Sequence, residues 1–311
     1  MTKDVLVTGG AGFIGSRIAE RLLSEGHQVT IADNFSTGSE KNIPEGARII
    51  RADLSTNRGI KKIPEQSFDA VFHLAGQSSG EISSEKPEVD LKSNTLSTLL
   101  LLKWCKSRGI ERFIYASSMA VYGNAAKCPV SEKDPCSPLS FYGISKYSSE
   151  QYIRHFSHEG IDTTCFRMFS VYGPGQDLKN MKQGMVSIFL AYLLKKEQVL
   201  VKGSGERYRD FIYIDDVVDV WCRCIDTSRT FGQIYNLASG KKTFVKDLVE
   251  KQILLFGHDP AAYPVRYEGS TPADQFGLYA DISKLKKDME WHPVTDLDTG
   301  LRKMIAWAES R

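Results

Sequence analysis

The stretch VLVTGGAGFIGS, residues 5–16, limits what this chain can fold into more than any other. A run of β-branched and apolar residues leads straight into clustered glycines, and an amphipathic helical pattern follows at once. Gly10-x-Gly12-x-x-Gly15 has the spacing of a dinucleotide fingerprint, and Gly9 adds a Gly-x-x-Gly-x-x-Gly reading of the same loop. Glycines in this position allow a tight turn, a close approach of backbone to a pyrophosphate, and close packing of helix on strand. The pyrophosphate then meets the positive N-terminus of the helix.

A second strand pattern, QVTIAD, ends on Asp33, where an acid accepts hydrogen bonds from the adenosine ribose hydroxyls. A carboxylate there repels a 2′-phosphate, and the following Asn34-Phe35-Ser36-Thr37-Gly38 holds no arginine to rescue one. NAD is therefore expected rather than NADP. The alternative, that Asp33 only starts a turn, stays open at this point. Asp53 and Leu54 end the third strand pattern and offer an adenine contact, or are turn residues only.

Further along, residues 4–9, 28–33, 47–53, 69–75, 112–118 and 162–169 read as strands, with amphipathic helical stretches at 15–25, 95–108 and 142–158. Strands alternating with helices predict an α/β chain: a Rossmann-type, doubly wound parallel sheet with helices on both faces, whose ligands bind beyond the carboxyl ends of the strands. After about residue 172 the regularity loosens. GPGQDLKNMKQG is a polar loop, a helix is expected near 185–197 and a strand at 198–202, RYRDFIYIDD leads into another helix, and two more helices close the chain. The expected division is an NAD-binding domain over 1–172, with some later return of the chain, and a smaller substrate lobe formed mainly by 173–311.

Composition excludes several classes. A net charge of +2 gives no field for nucleic acid or an anionic membrane, and no apolar run has transmembrane length. The six cysteines show no metal-ligand spacing and read as small apolar residues of a reducing cytoplasm; no histidine cluster suggests a metal. His73 reads as structural.

Tyr142 and Lys146, in SFYGISKYSSEQ, lie one helical turn apart on one face. A free phenol, with a pKa of about 10, is too weakly acidic to serve as a base at neutral pH. A neighbouring ammonium and a cationic nicotinamide both favour the phenolate, so the pair can take a proton from a hydroxyl group while hydride leaves the carbon that bears it.

TGGAGFIGS (8–16), Asp33-Asn34, HLAGQSS (73–79), Asn94, ASSMAVYG (116–123), YGISK (142–146), RMFSVYGPGQ (167–176) and RDFIYIDD (209–216) occur in one order along nearly the whole chain. With these motifs the chain resembles the extended short-chain dehydrogenase/reductase family, in particular its nucleotide-sugar epimerases and dehydratases. The resemblance implies Ser118 as a third catalytic group beside Tyr142 and Lys146, with Ser117 as a possible substitute. It implies cofactor contacts at Gly9, Gly12, Phe13, Ile14, Gly15, Asp33, Asn34, Ser36, Thr37, Gly38, Asp53, Leu54, Leu74, Ala75, Gly76, Gln77, Asn94, Ser117, Tyr142, Lys146, Phe169 and Val171. Substrate contacts follow at Ser78, Ser79, Ser118, Met119, Tyr142, Ser170, Arg209 and Asp274, with Arg209 assigned to the diphosphate. A UDP-sugar substrate, a homodimer and a place in polysaccharide or glycan synthesis are also implied.

Departures from the family narrow the chemistry. Sugar dehydratases carry an Asp-Glu pair just after the catalytic hydroxyl, and decarboxylating relatives carry a glutamate at the second of these positions; here Met119 and Ala120 stand there. Neither side chain can carry a proton, which leaves epimerisation, expected at C4. Ser170 and Thr271 replace an asparagine and an arginine that contact the diphosphate in relatives; Lys179, Lys182, Arg207 or Arg266 could compensate. Glu81, if it points inward, disfavours a carboxylated sugar. The competing readings are a nucleotide-sugar dehydrogenase, reductase or dehydratase, and a non-catalytic NAD-binding regulator.

Overall fold

The computed structural model describes residues 1–269 and 275–311. Its centre is a parallel seven-stranded sheet: β1 Asp4–Thr8, β2 Gln28–Asp33, β3 Arg48–Arg51, β4 Ala70–His73, β5 Arg112–Ser118, β6 Asp162–Met168 and β7 Gln233–Leu237, in the order β7-β6-β5-β4-β1-β2-β3. The expected strands lie within a few residues of these bounds. The seventh strand was not among them, because its partner β6 lies far upstream and its own five residues carry little periodicity.

The central strands β1, β4 and β5 are buried almost throughout, with apolar runs at their centres, as strands covered on both faces must have, and only Asp4 escapes full burial. Alternation then assigns each side chain to a face. Val5, Val7, Ile31, Phe72, Ile114 and Phe166 pack in one core with α1 (Phe13–Ser24) and α5 (Ile214–Cys224). Leu6, Val71, Phe113 and Tyr115 pack in the other with α2 (Ser97–Ser107) and α3 (Phe141–His158). One intervening helix, α4 (Met185–Leu194), joins the first core.

The order of strands reverses between β1 and β4, so the connections that leave their carboxyl ends run to opposite sides and leave a crevice there. Three short two-stranded pairings build the remainder beside that crevice: Ser170–Tyr172 with Phe211–Tyr213, Tyr208–Arg209 with Thr243–Phe244, and Val199–Lys202 with Val265–Glu268. Helices α6 (Val245–Leu255) and α7 (Leu297–Glu309), with the short helix Ser283–Met289 between them, complete the chain. Among the described residues, no helix is long and apolar enough to cross a membrane.

Candidate active site

The glycine loop follows β1 into the crevice. Gly9 has φ +69°, and a Cβ on it would lie 2.6 Å from the Ala75 nitrogen. A Cβ on Gly15 would lie 2.3 Å from the Gly9 carbonyl oxygen. Both glycines are therefore demanded by the protein's own backbone. Gly12 differs: it is the N-cap of α1, no side chain caps that helix, and no acid occupies its first turn. The orphan first-turn N–H groups face an anion site that the protein itself does not fill.

Asp33, at the end of β2, is buried. Its Oδ2 accepts the Ala11 N–H at 3.0 Å and its Oδ1 accepts the Phe35 N–H at 2.7 Å. A carboxylate has about four acceptor sites, so each oxygen keeps a lone pair for a ribose hydroxyl. Asp33 is thus a loop tether and an available acceptor together. Gly38 packs against Ala11, while Asn34, Ser36 and Thr37 are exposed. Asp53 is exposed and binds Ser55, and Leu54 is buried. The glycine cradle, the uncapped helix and the buried acid fit NAD.

Leu74, Ala75, Gly76 and Gln77 form the loop after β4. Thr8 holds it through its carbonyl to Leu74 N–H (3.1 Å) and its Oγ1 to Ala75 N–H (3.3 Å). His73 Nδ1 is bonded to the same Thr8 Oγ1 at 2.7 Å, and Nε2 to Thr98 Oγ1 at 3.0 Å. Burial pushes His73 down to about 3, so the ring is neutral and structural. Asn94 is fully buried on a π-helical turn, Leu91–Leu96, that leads into α2. Its Oδ1 accepts the Gln77 N–H at 2.9 Å and its Nδ2 donates to Ser145 Oγ at 2.9 Å, joining the cofactor loop to α3.

Helix α3 begins where Ser140 Oγ accepts the Gly143 N–H at 3.0 Å. It carries Tyr142 and Lys146 toward the end of β5. Lys146 is only 4% exposed; its Nζ donates to the Ala116 carbonyl at 2.9 Å and lies 4.9 Å from the Tyr115 ring centre and 5.9 Å from that of Tyr142. Burial pushes Lys146 down to about 8, with the charges of Asp90 and Glu150 opposing. Tyr142 is raised, because burial outweighs the hydrogen bond with Ser118, and the charge of Asp90 adds to it. The lowered phenol expected from the sequence invoked Lys146 and the cationic nicotinamide together; among the chain's own groups, desolvation of the phenolate is the largest influence.

Adjacent residues of a strand face opposite ways, and this separates the two serines. Ser118 Oγ meets Tyr142 and also accepts the Ala120 N–H at 3.2 Å. Ser117 Oγ donates to Glu150 Oε1 at 2.5 Å on the other side. Glu150 in turn binds Arg167 bidentately, Nη2–Oε2 at 2.8 Å and Nε–Oε1 at 3.0 Å, with both side chains buried. Met119 and Ala120 follow Ser118 on a short 3₁₀ turn and are half-buried.

The loop expected to meet the sugar is tied to the rest of the protein. Ser78 Oγ accepts Gln183 Nε2 at 2.9 Å, and Ser79 Oγ caps the helix Gly80–Glu85. Glu81 does not point at a lone pocket: Lys202 lies 2.5 Å and Lys182 3.6 Å from its oxygens. The hydrogen bond from Lys202 holds Glu81 below the usual carboxylate range. The inference that Glu81 disfavours a carboxylated sugar is therefore withdrawn, since two ammonium groups face its charge. Arg209 is 3% exposed and donates to the carbonyls of Tyr208, Phe276 and Gln275. Phe169 is buried, and Ser170 and Val171 lie on the short strand beside Phe211–Tyr213. Asp274, Thr271 and Ala273 fall outside the described residues.

Sequence reading missed Asp90, Ser83, Glu150 and Arg167. The register Tyr142-x-x-x-Lys146-x-x-x-Glu150, and Asp90 one turn before Asn94, were the available signals.

Residues 5–238 match the model of the NAD dependent epimerase/dehydratase family. A putative UDP-glucose 4-epimerase of Methanocaldococcus jannaschii is 34% identical, the match covering 98% of each chain. A crystal structure of a Thermotoga maritima UDP-glucose 4-epimerase with UDP-glucose superposes with a TM-score of 0.93 at 33% identity and 99% coverage of both chains. A Thermus thermophilus UDP-glucose 4-epimerase in complex with NAD gives 0.89 at 30% identity, covering 98% of this chain and 99% of that one.

Proposed function

The chain belongs to the NAD dependent epimerase/dehydratase family, and on that premise we propose that it interconverts a UDP-sugar with its C4 epimer, NAD being regenerated in each turnover. NAD supplies the acceptor and donor of the hydride that turns the carbinol into a ketone and back. The chain's own residues handle the proton. The Tyr142 phenolate takes it from the C4 hydroxyl and returns it once the keto sugar has presented its other face. The Ser118 hydroxyl steadies that oxygen, and the Lys146 ammonium favours the phenolate.

One observation carries the reading. Tyr142, Ser118 and Lys146 converge at the end of β5, and the next two side chains, Met119 and Ala120, hold no ionisable group. A dehydratase needs further proton carriers at those positions, and here there are none. Proton NMR of the NAD-loaded protein with UDP-glucose, UDP-galactose and their N-acetyl and uronate analogues tests it: a second anomeric signal with no net change in reduced nicotinamide is expected. Steady accumulation of reduced nicotinamide would move the reading to a dehydrogenase, and no epimer from any of these sugars would sink it.

A homodimer is supported by the apolar side chains Leu91, Leu96, Ile144 and Tyr152, all exposed on the packed helical segments around α2 and α3. A cytoplasmic setting is supported by six cysteines that are all unpaired.

A further inference from the structure

Asp90 is a carboxylate that the proton chemistry above does not use, yet it lies among the groups that do. It is 1% exposed. Its Oδ1 accepts Gln77 Nε2 at 2.8 Å and has a longer contact with Asn94 Nδ2 at 3.4 Å, while its Oδ2 makes no hydrogen bond of ordinary geometry. Burial pushes the carboxyl up; the Ser83 hydroxyl, Gln77 and the Lys146 charge pull it down. Ser83 Oγ also accepts the Tyr142 N–H at 2.8 Å. Asp90 therefore touches the segment that runs from the cofactor loop to the sugar loop, and reaches the first turn of α3 through Ser83.

The groups facing Lys146 come from four elements. Glu150 and Tyr142 share its helix, Tyr115 and the Ala116 carbonyl come from β5, His73 from β4, and Asp90 from the turn before the π-helical segment. His73 is neutral. Glu150 is bound by the Arg167 guanidinium through two hydrogen bonds, so its charge is compensated at close range. Among the described residues Asp90 has no cation paired with it as Arg167 is with Glu150, and its negative charge bears on Lys146 and Tyr142 together.

We propose that Asp90 is a positioning residue of the reaction: a buried negative charge that keeps Lys146 an ammonium under Tyr142, and a clasp that fixes the 77–83 segment to the start of α3. The proposal rests on the epimerase reading for its consequence in turnover, but not for the electrostatics.

The charge has one signature that a purely structural role lacks. A negative charge raises the proton affinity of both an ammonium and a phenol, so its removal lowers both. In Asp90→Asn both limbs of the pH–rate profile of the NAD-loaded protein should move to lower pH by about one unit. Asp90→Glu, which keeps the charge, should return the limbs toward their wild-type positions. The same variants are titrated without cofactor, reading tyrosinate absorbance against Tyr142→Phe, where the Tyr142 transition should move down in Asp90→Asn. Circular dichroism monitors folding, and Asp90→Ser is the second neutral variant should Asn not fold. Limbs and phenol transition that stay in place, whatever the change in kcat, overturn the proposal. A wild-type protein with no epimerase activity removes the functional reading alone, because the cofactor-free titration still decides the role of Asp90.

Discussion

Tyr142 carries a hydroxyl that burial pushes up and that the Ser118 hydroxyl pulls back. Tyr142→Phe removes that single oxygen and leaves the ring. Turnover is expected to fall by about a hundred- to ten-thousand-fold, with bound NAD retained; NMR of the epimers and the cofactor content of the same sample check the two halves. His73 gives a second residue-level prediction. Its folded value of about 3 lies below the ordinary 6.5, so the unfolded chain binds the extra proton between those values. Its contribution is therefore whole above about pH 6.5 and declines by about 1.4 kcal/mol for each unit below it. Urea unfolding across that range should show the loss, while the ring signals of folded His73 stay those of the neutral form. Ser117 and Ser118 are chemically identical neighbours; the family resemblance favours Ser118, and the pleat of β5 sends it to Tyr142 and Ser117 to Glu150.

At the scale of elements, the glycine loop and α3 do most of the positioning. Gly15→Ala places a methyl 2.3 Å from the Gly9 carbonyl oxygen, with backbone on both sides of the clash. A loss of about 1–3 kcal/mol is expected, together with weakened NAD retention, to be read by calorimetry and by cofactor content after purification. Helix α3 is fastened to β6 by the buried Glu150–Arg167 pair. Glu150→Gln leaves the guanidinium buried without its partner charge and should cost about 3–5 kcal/mol. Replacing both residues, Glu150→Gln with Arg167→Met, should cost less than the sum of the single changes, and urea unfolding of all three variants measures this. The Tyr142–Lys146 register was legible because a helical period of about 3.6 residues is local. The π-helical turn that brings Asn94 inward was not, since no periodicity announces the extra residue.

The whole molecule joins its parts across the crevice. Ser78 with Gln183, and Glu81 with Lys202 and Lys182, tie residues 78–81 to the segments that follow residue 172. On the outer side, exposed apolar residues flank α2 and α3. If the proposed homodimer forms through this face, Leu91→Glu with Ile144→Glu should give a monomer by light scattering without unfolding it, since neither side chain is buried within one chain. The sequence by itself determined the β1–turn–α1 unit, the doubly wound parallel class, Asp33 at the end of β2 and the Tyr142–Lys146 pair. Each is written in neighbouring residues, as a glycine spacing, an apolar run or a helical period. It took the tertiary structure to show that residues 233–237 return as the seventh strand, that Glu81 meets two lysines, that Ser118 meets Tyr142 while Ser117 meets Glu150, and that Asp90 is buried with Gln77 and Asn94. These are contacts between residues far apart in the chain, or between opposite faces of one strand, and burial then sets their charges. No local pattern of residue types encodes them.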